Sequence, residues 1–147
     1  MIPILFINSA LIPFVDMILS GQKTIETRSK NMLRALVGRR VLIAETGHGR
    51  PVVRCSARIT YAVQVTSKDV YDAIRDCTRV PEGSPYDWKE STRCKWFYTL
   101  TDVIPVSPFS PPEGRRHGRV WMEYNRNNFR AACGSAGVVP FGGANND

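Results

Sequence analysis

The chain has 147 residues, of which 43% are hydrophobic and 22% are charged. This composition excludes a fibrous or wholly disordered chain, and the length fits one domain of about 100–150 residues. The formal net charge of +7 at pH 7 favours partners that carry negative charge. No apolar run approaches the roughly 18 residues that a membrane-spanning helix needs, so we expect no membrane partner.

The first third of the chain predicts strands around one short helix. Residues 2–7 are apolar and β-prone, which is typical of a strand. Pro13 suits the first turn of a helix because its missing N–H has no helical partner there, and Gly21 suits the left-handed position that ends a helix. Residues 23–28 alternate polar and apolar side chains around Ile25 and predict a second strand.

Strand character dominates the middle of the chain. Residues 40–46 carry a Val-Leu-Ile-Ala run that indicates a buried strand, and residues 52–65, rich in β-branched side chains, predict a long bent one. Ser67 is a suitable N-cap for a short helix that continues to Ile74. Residues 80–95 are polar and turn-rich, and predict either an insertion or a lid.

The last part of the chain completes the predicted domain. Residues 96–106 predict a strand, the prolines within 105–112 an extended linker, and residues 118–124 a closing strand. We therefore expect one domain at residues 1–125 and a weakly ordered tail at residues 126–147. Several short strands, two short helices and no strand–helix–strand rhythm predict a mainly β, α+β fold. Its expected form is a small mixed β-barrel flanked by helices.

The N-terminus and the cysteines bear on location and metal binding. The N-terminal sequence is apolar but lacks a charged leading region, so it predicts a strand rather than a signal peptide, and we expect a cytoplasmic protein. The cysteines are widely spaced and form no CxxC pair, at positions Cys55, Cys77, Cys94 and Cys133. We expect free thiols, with Cys55 buried, and neither a metal site nor a cofactor.

Positive charge is concentrated in one segment. Nine basic residues lie between Lys23 and Arg58, opposed only by Glu26 and Glu45, while the basic and acidic residues elsewhere cancel. A concentrated positive face attracts polyanions and speeds encounter with them. The segment therefore predicts either a functional basic cleft or a solvated surface that only keeps the protein soluble.

One short motif carries a specific resemblance. Residues 21–28 run Gly-Gln-Lys-Thr-Ile-Glu-Thr-Arg, which matches the GxKxxExR pattern of the ASCH family and follows a short apolar helix as in that family. A Gly-Arg-Arg sequence at 38–40 then opens a strand, and a Gly-Arg turn at 49–50 precedes the next. The chain resembles ASCH proteins over residues 3–124, most closely over 3–63. The resemblance implies a PUA-like barrel with a ligand cleft and an RNA-related role.

The chemistry of the motif follows from side-chain alternation in a strand. Thr24, Glu26 and Arg28 are expected on one face, with Lys23 and Ile25 on the other. An arginine fork offers paired donors to phosphate or carboxylate, and a neighbouring glutamate accepts from a base edge or a ribose. Lys23 is expected at the mouth of the cleft. The alternative is a Glu26–Arg28 ion pair that only braces the barrel, with Lys23 in solvent.

Weaker candidates lie outside the motif. His48 stands between two glycines in a basic turn, where an imidazole is able to exchange protons near neutral pH. Tyr86 and Trp88 fit either a lid that stacks on a ligand or packing back onto the barrel. The predicted set of ligand-binding residues is Lys23, Thr24, Glu26, Arg28, Arg39, Arg40, His48, Arg50, Arg115 and Arg116.

Three functions are open at this point. The preferred hypothesis is binding of RNA or a nucleotide-like small molecule without catalysis. The alternative is a small hydrolase, because the resemblance extends to amidohydrolases of acylated cytidine and to relatives with suggested ribonuclease action. Lys23 matches the lysine of those amidohydrolases, but Glu26 stands where their threonine falls, so Lys23 and Glu26 would be the catalytic pair. The third is contact with an acidic protein partner.

Overall fold

The structure is a computed structural model that describes residues 2–111, 115–117 and 121–124, with side chains described for residues 3–111. Within these residues the strands are β1 (Ile2–Asn8), β2 (Ile25–Arg28), β3 (Arg40–Thr46), β4 (Val52–Val65), β5 (Lys95–Phe109), β6 (Arg115–His117) and β7 (Trp121–Tyr124). The helices in the same part of the chain are α1 (Phe14–Leu19), α2 (Lys68–Ala73) and α3 (Arg75–Thr78), with a 3₁₀ turn at Arg34–Leu36.

These strands form a mixed sheet in the order β2-β5-β4-β3-β1-β7-β6. β1 runs parallel to β3, with Ile4 opposite Leu42, and the other pairs are antiparallel. The prediction of a mainly β fold with short helices is confirmed. The predicted barrel is not confirmed, because β2 and β6 stand at opposite ends of the order and no pairing among the described strands joins them.

The sheet is covered on both faces in its central part. Along β3, Val41 and Ile43 belong to a larger apolar cluster that includes α1, whereas Leu42 and Ala44 belong to a smaller one with Ile4. Successive side chains of a strand point to opposite faces. Burial on both faces therefore explains the unbroken apolar run of this strand.

Helices α1 and α2 lie where local chemistry predicts them, whereas α3 was not predicted. Pro13 precedes α1, whose residues Phe14 and Ile18 pack into the larger cluster. Gly21 follows with a φ of +81°, the left-handed conformation that favours glycine. Ser67 caps α2 by accepting a hydrogen bond from the first turn at 3.4 Å. These signals are local, which is why the sequence alone places both helices.

Strand β5 is longer than predicted, and it includes two of the prolines that were expected to form an extended linker. It continues through Pro105 and Pro108 to Phe109. Pro105 lies opposite Cys55, between register shifts in the β4–β5 pairing. A proline has no N–H to donate, but bulges tolerate it because a ladder bond is already missing there. The prolines therefore mark irregular pairing within a strand rather than its end.

The cysteines and the predicted tail have different outcomes. Cys55 is buried, Cys77 is exposed and Cys94 is half-buried, and all three are free; burial raises the pKa of Cys55 to about 12. Cys133 and residues 126–147 lie outside the described residues.

In the part of the chain that is described, no helix is long and apolar enough to cross a membrane. The same part holds no metal-binding cluster of histidine, cysteine or acidic side chains.

The turn after β3 approaches the chain that follows β1 most closely at Gly47. A Cβ at Gly47 would lie 2.7 Å from the Cβ of Ala10, and φ is +101°. We expect Gly47→Ala to cost about 1–3 kcal/mol of stability from the positive φ, and about 1–3 kcal/mol more from overpacking. Urea denaturation of both proteins measures the loss.

Gly49→Ala is the matched control for this prediction. Gly49 also has a positive φ, +90°, but a Cβ there would meet nothing within 4 Å. We therefore expect Gly49→Ala to show the backbone loss alone. Equal losses in the two variants would mean that the approach of Ala10 does not limit the turn.

Candidate functional site

Lys23, between α1 and β2, is buried, with 1% of its surface exposed. Its Nζ donates to the carbonyl of Ile25 at 2.7 Å and to that of Thr78 at 2.6 Å, and lies 3.7 Å from Oε1 of Glu26. It also lies 4.6 Å from the centre of the Phe14 ring. An ammonium group has three hydrogens to donate; the two carbonyls accept two of them, and Glu26 is an ion-pair partner beyond hydrogen-bond distance. Lys23 is neither in solvent nor at a cleft mouth.

Glu26 is the centre of an ion network. Its Oε1 accepts from the backbone N–H of Thr27 at 2.9 Å, and its Oε2 accepts from Nη2 of Arg28 at 3.1 Å. Burial alone would raise the pKa of Glu26, but the charges of Arg28 and Lys23, together with the Thr27 N–H, hold its pKa below the ordinary value. Burial lowers the pKa of Lys23, and the Glu26 carboxylate offsets that only in part. Glu26 is therefore ionised in neutral solution.

Arg28 ties the motif to the first strand. Its Nη2 also donates to the carbonyl of Phe6 in β1 at 3.0 Å. β1 and β2 are not neighbours in the sheet order, so this bond links strands that share no ladder. The Nε of Arg28 is buried and has no hydrogen-bond partner among the described residues. The network thus braces the fold, while one donor on it remains unused.

A cavity of about 240 Å³ lies beside this network. Glu26, Thr27 and Arg28 form one wall, and Phe14 and Tyr86 supply aromatic surface. Its other lining residues are Ile7, Asn8, Ser29, Met32, Val80, Pro85 and Lys95. Sites for drug-sized ligands typically measure about 300–1,000 Å³. This cavity therefore suits one small group rather than a stretch of polymer.

The predicted insertion or lid, residues 80–95, covers one side of the cavity. Tyr86 packs edge-on against Phe14, with ring centres 5.6 Å apart, and Trp88 packs on Tyr71 at 5.5 Å. Both aromatic side chains of the segment therefore pack back onto the sheet and its helices. Tyr86 in addition forms part of the cavity wall, so the two alternatives for this residue are not exclusive.

Lys95 is a cavity residue that the sequence analysis did not single out. It opens β5, is buried, and donates from Nζ to the carbonyl of Tyr86 at 3.2 Å. Burial lowers the pKa of Lys95 and the charge of Lys89 lowers it further, while the charge of Asp87 offsets part of that effect. Phe97, which shares the strand face of Lys95, belongs to a separate apolar cluster with Val65 and Tyr71. Strand alternation therefore gave no signal that Lys95 would line the cavity.

Two predicted residues of the basic segment lie apart from the cavity. β2 begins at Ile25, so strand alternation does not extend to Thr24, which is exposed and does not line the cavity. Arg40 donates to the carbonyl of Asp102 at 2.9 Å. It shares the sheet face of Leu42, which belongs to the smaller apolar cluster, whereas the cavity lies on the face of the larger one. The basic segment is thus divided between two sheet faces.

The remaining predicted residues are also spread over the molecule. Nε2 of His48 lies 3.0 Å from a backbone carbonyl just after β1 and fixes the turn after β3. Arg50 is exposed in that turn, Arg39 is half-buried ahead of β3, and none of these three residues lines the cavity. Arg115 and Arg116 belong to β6, and their side chains lie outside the described set.

The structure has an ASCH-type fold, because solved ASCH structures match it over at least nine-tenths of its length. Solved structures of ASCH from Zymomonas mobilis share it. The wild-type structure has 17% identity and a TM-score of 0.65, and the match covers 93% of this chain and 95% of that one. A tyrosine-to-phenylalanine mutant of the same protein has 16% identity and a TM-score of 0.71, and the match covers 93% of this chain and 98% of that one. A serine-to-alanine mutant has 20% identity and a TM-score of 0.66, and the match covers 90% of this chain and 94% of that one.

Other comparisons add no further relative. No protein-family model matches the chain, and no curated protein matches it. Identities of 16–20% to the solved structures establish the shared fold. They do not carry an activity from one chain to the other, because one fold hosts many functions.

Proposed function

We propose that this chain is a PUA-like ASCH-domain protein that binds RNA or a nucleotide-like small molecule at the cavity beside Glu26 and Arg28. One observation carries the proposal: an ionised carboxylate, that of Glu26, and the guanidinium of Arg28 share one cavity wall. A fixed acceptor beside a fixed donor suits the edge of a base or the hydroxyl and phosphate groups of a nucleotide.

The wall is held rigid by contacts that a ligand does not need to form. Lys23 supports Glu26 from the interior, and the carbonyl of Phe6 holds Arg28. Side chains fixed before binding lose little freedom when a ligand arrives, which favours affinity. Tyr86 offers an aromatic surface on which a base is able to stack. The cavity would accept one group of a nucleotide, while the rest of the nucleotide or RNA strand remains outside.

Filling the cavity tests the proposal directly. Ser29 is exposed and lines the cavity, so Ser29→Trp should obstruct it without disturbing the core. We expect at least about a tenfold loss of affinity, equal to about 1.4 kcal/mol. The probes are short single-stranded and hairpin RNAs and N4-acetylcytidine. Fluorescence anisotropy follows the RNAs and calorimetry follows the nucleoside, at two salt concentrations, because phosphate contacts weaken as salt increases.

Ser107→Trp is the control. Ser107 is exposed on β5 and does not line the cavity, so the same added ring should leave binding intact. Wild-type protein that binds none of the probes would refute the proposal. Binding that survives Ser29→Trp would move the ligand site elsewhere.

A hydrolase remains the second candidate because Glu26 is an ionised carboxylate in a cavity and is able to accept a proton. The contacts of Lys23 favour a positioning role for it, since two backbone carbonyls hold its ammonium group and its charge is paired with Glu26. Every titration is therefore checked for cleaved RNA and for deacylated nucleoside. If wild type and Ser107→Trp form product and Ser29→Trp does not, the cavity is a hydrolytic site rather than a site for binding alone.

A further inference from the structure

The charges around the cavity do not balance. Glu26, Arg28 and Lys95 line it, and Lys23 contacts Glu26 from the interior. Among the three charged side chains that line the cavity, one carboxylate faces two cations. The charge of Asp87 acts on Lys95, but Asp87 does not line the cavity, and it already accepts from Arg75 at 3.0 Å and from two backbone N–H groups. The cavity wall therefore carries an excess of positive charge.

The excess positive charge comes with unused hydrogen-bond donors. Nζ of Lys95 donates to the neutral carbonyl of Tyr86, which engages one of the three hydrogens of an ammonium group. Arg28 is paired with Glu26, but it shares that one carboxylate with Lys23. A buried charge without a full counter-ion is costly. Two cations on one small cavity, one of them with spare donor hydrogens, therefore indicate an anion supplied from outside.

We propose that Arg28 and Lys95 form a subsite for the phosphate of a phosphomonoester, either a free mononucleotide or the phosphorylated end of an RNA. A terminal phosphate carries close to two negative charges at neutral pH and several acceptor oxygens, which matches the two cations. An internal phosphodiester carries a single charge and has chain on both sides, which the small cavity does not accommodate. This inference rests on the proposed function and names the group that enters the cavity.

Paired ligands that differ only by the phosphate test the subsite. Calorimetry with cytidine and cytidine 5′-monophosphate isolates the phosphate on a free nucleotide. Five-nucleotide RNAs with a 5′-phosphate or a 5′-hydroxyl isolate it on a chain end, and inorganic phosphate tests it alone. We expect each phosphorylated ligand to bind about tenfold to a hundredfold more tightly than its partner, the range for charge-assisted hydrogen bonds. A preference in either pair supports the subsite and identifies the source.

Lys95→Met removes the charge and keeps the length of the side chain. We expect the preference for the phosphorylated ligands to fall at least about tenfold. Lys68→Met is the control, because Lys68 is exposed on α2, does not line the cavity, and its loss changes the net charge equally. The preference should persist in Lys68→Met. Circular dichroism and urea denaturation establish that both variants are folded.

The outcomes separate this inference from the proposed function. Equal affinity of wild type for cytidine and its monophosphate, and for the two RNAs, would overturn the phosphate subsite while nucleotide binding stands. A preference that survives Lys95→Met would also overturn it. A third outcome is that wild type binds inorganic phosphate but neither cytidine nor RNA, and that Lys95→Met no longer binds phosphate. This result would support the subsite and refute the nucleotide proposal. If Lys95→Met does not fold, the affinities of wild type for the phosphorylated and unphosphorylated ligands are sufficient to test the subsite.

Discussion

Glu26→Gln is expected to lower the free energy of unfolding by about 3–5 kcal/mol, the usual loss when one partner of a buried ion pair is removed. The substitution keeps the shape of the side chain and removes its charge. Lys23, which is buried 3.7 Å away, would then lack the carboxylate beside it. Arg28 would lose its charged acceptor at 3.1 Å. Urea denaturation at neutral pH measures the loss.

The same substitution should change how stability depends on pH. The pKa of Glu26 is lower in the folded chain than its ordinary value, which is about 4.3 for a glutamate. A carboxyl of this kind contributes stability above its unfolded pKa, and the contribution is lost as the pH falls through the lower folded value. Below about pH 4.3 wild type should therefore lose stability more steeply than Glu26→Gln. Parallel curves would contradict the assignment.

Asp16→Asn is the control for Glu26→Gln. Asp16 pairs with Arg54 at 2.5 Å, but its side chain is 59% exposed. Exposed ion pairs contribute about 0–1 kcal/mol, so we expect a correspondingly small change. If Glu26→Gln cost no more than Asp16→Asn, the buried network would not be a source of stability.

Lys23→Met is the second large prediction. The carbonyls of Ile25 and Thr78 would both lose the donor they now share. A buried polar group left without a partner costs about 1–3 kcal/mol, so we expect a total loss of about 2–6 kcal/mol. Methionine should still pack on the Phe14 ring, which the ammonium now contacts at 4.6 Å. Urea denaturation measures the loss.

Lys68→Met is the corresponding control, because Lys68 is 58% exposed and pairs with Asp72 on the surface of α2. We expect little change there. Lys23→Met that keeps full stability but abolishes product formation would assign Lys23 to catalysis instead of support. Loss of stability with retained ligand affinity, measured at a temperature where the variant is folded, would confirm the supporting role.

Local chemistry made part of the site predictable. Glu26 and Arg28 are two residues apart in a strand, so their contact follows from side-chain alternation and needs no distant residue. The motif therefore placed the carboxylate and the guanidinium together correctly. Thr24 was expected beside them, but β2 begins one residue later and leaves it exposed. Alternation predicts neighbours only within the strand, and strand ends are the least predictable feature of a sequence.

Long-range contacts decided the rest of the site. The burial of Lys23 depends on Thr78, whose carbonyl comes from α3, and on the Phe14 ring from α1. Lys95 joins the cavity because the segment before β5 packs Tyr86 against α1. None of these contacts can be predicted from the spacing of neighbouring residues. They arise when burial of apolar surface brings separate segments together.

The sequence by itself determined the mainly β fold with short helices, the ends of α1 and α2, and the Glu26–Arg28 pair, because caps, turns and strand alternation act over a few residues. Only the tertiary structure decided that the basic segment is divided between two sheet faces, that Lys23 supports Glu26 from inside, and that Lys95 lines the cavity. Those outcomes depend on which strands pair and which segment covers them, and packing of the whole chain sets both.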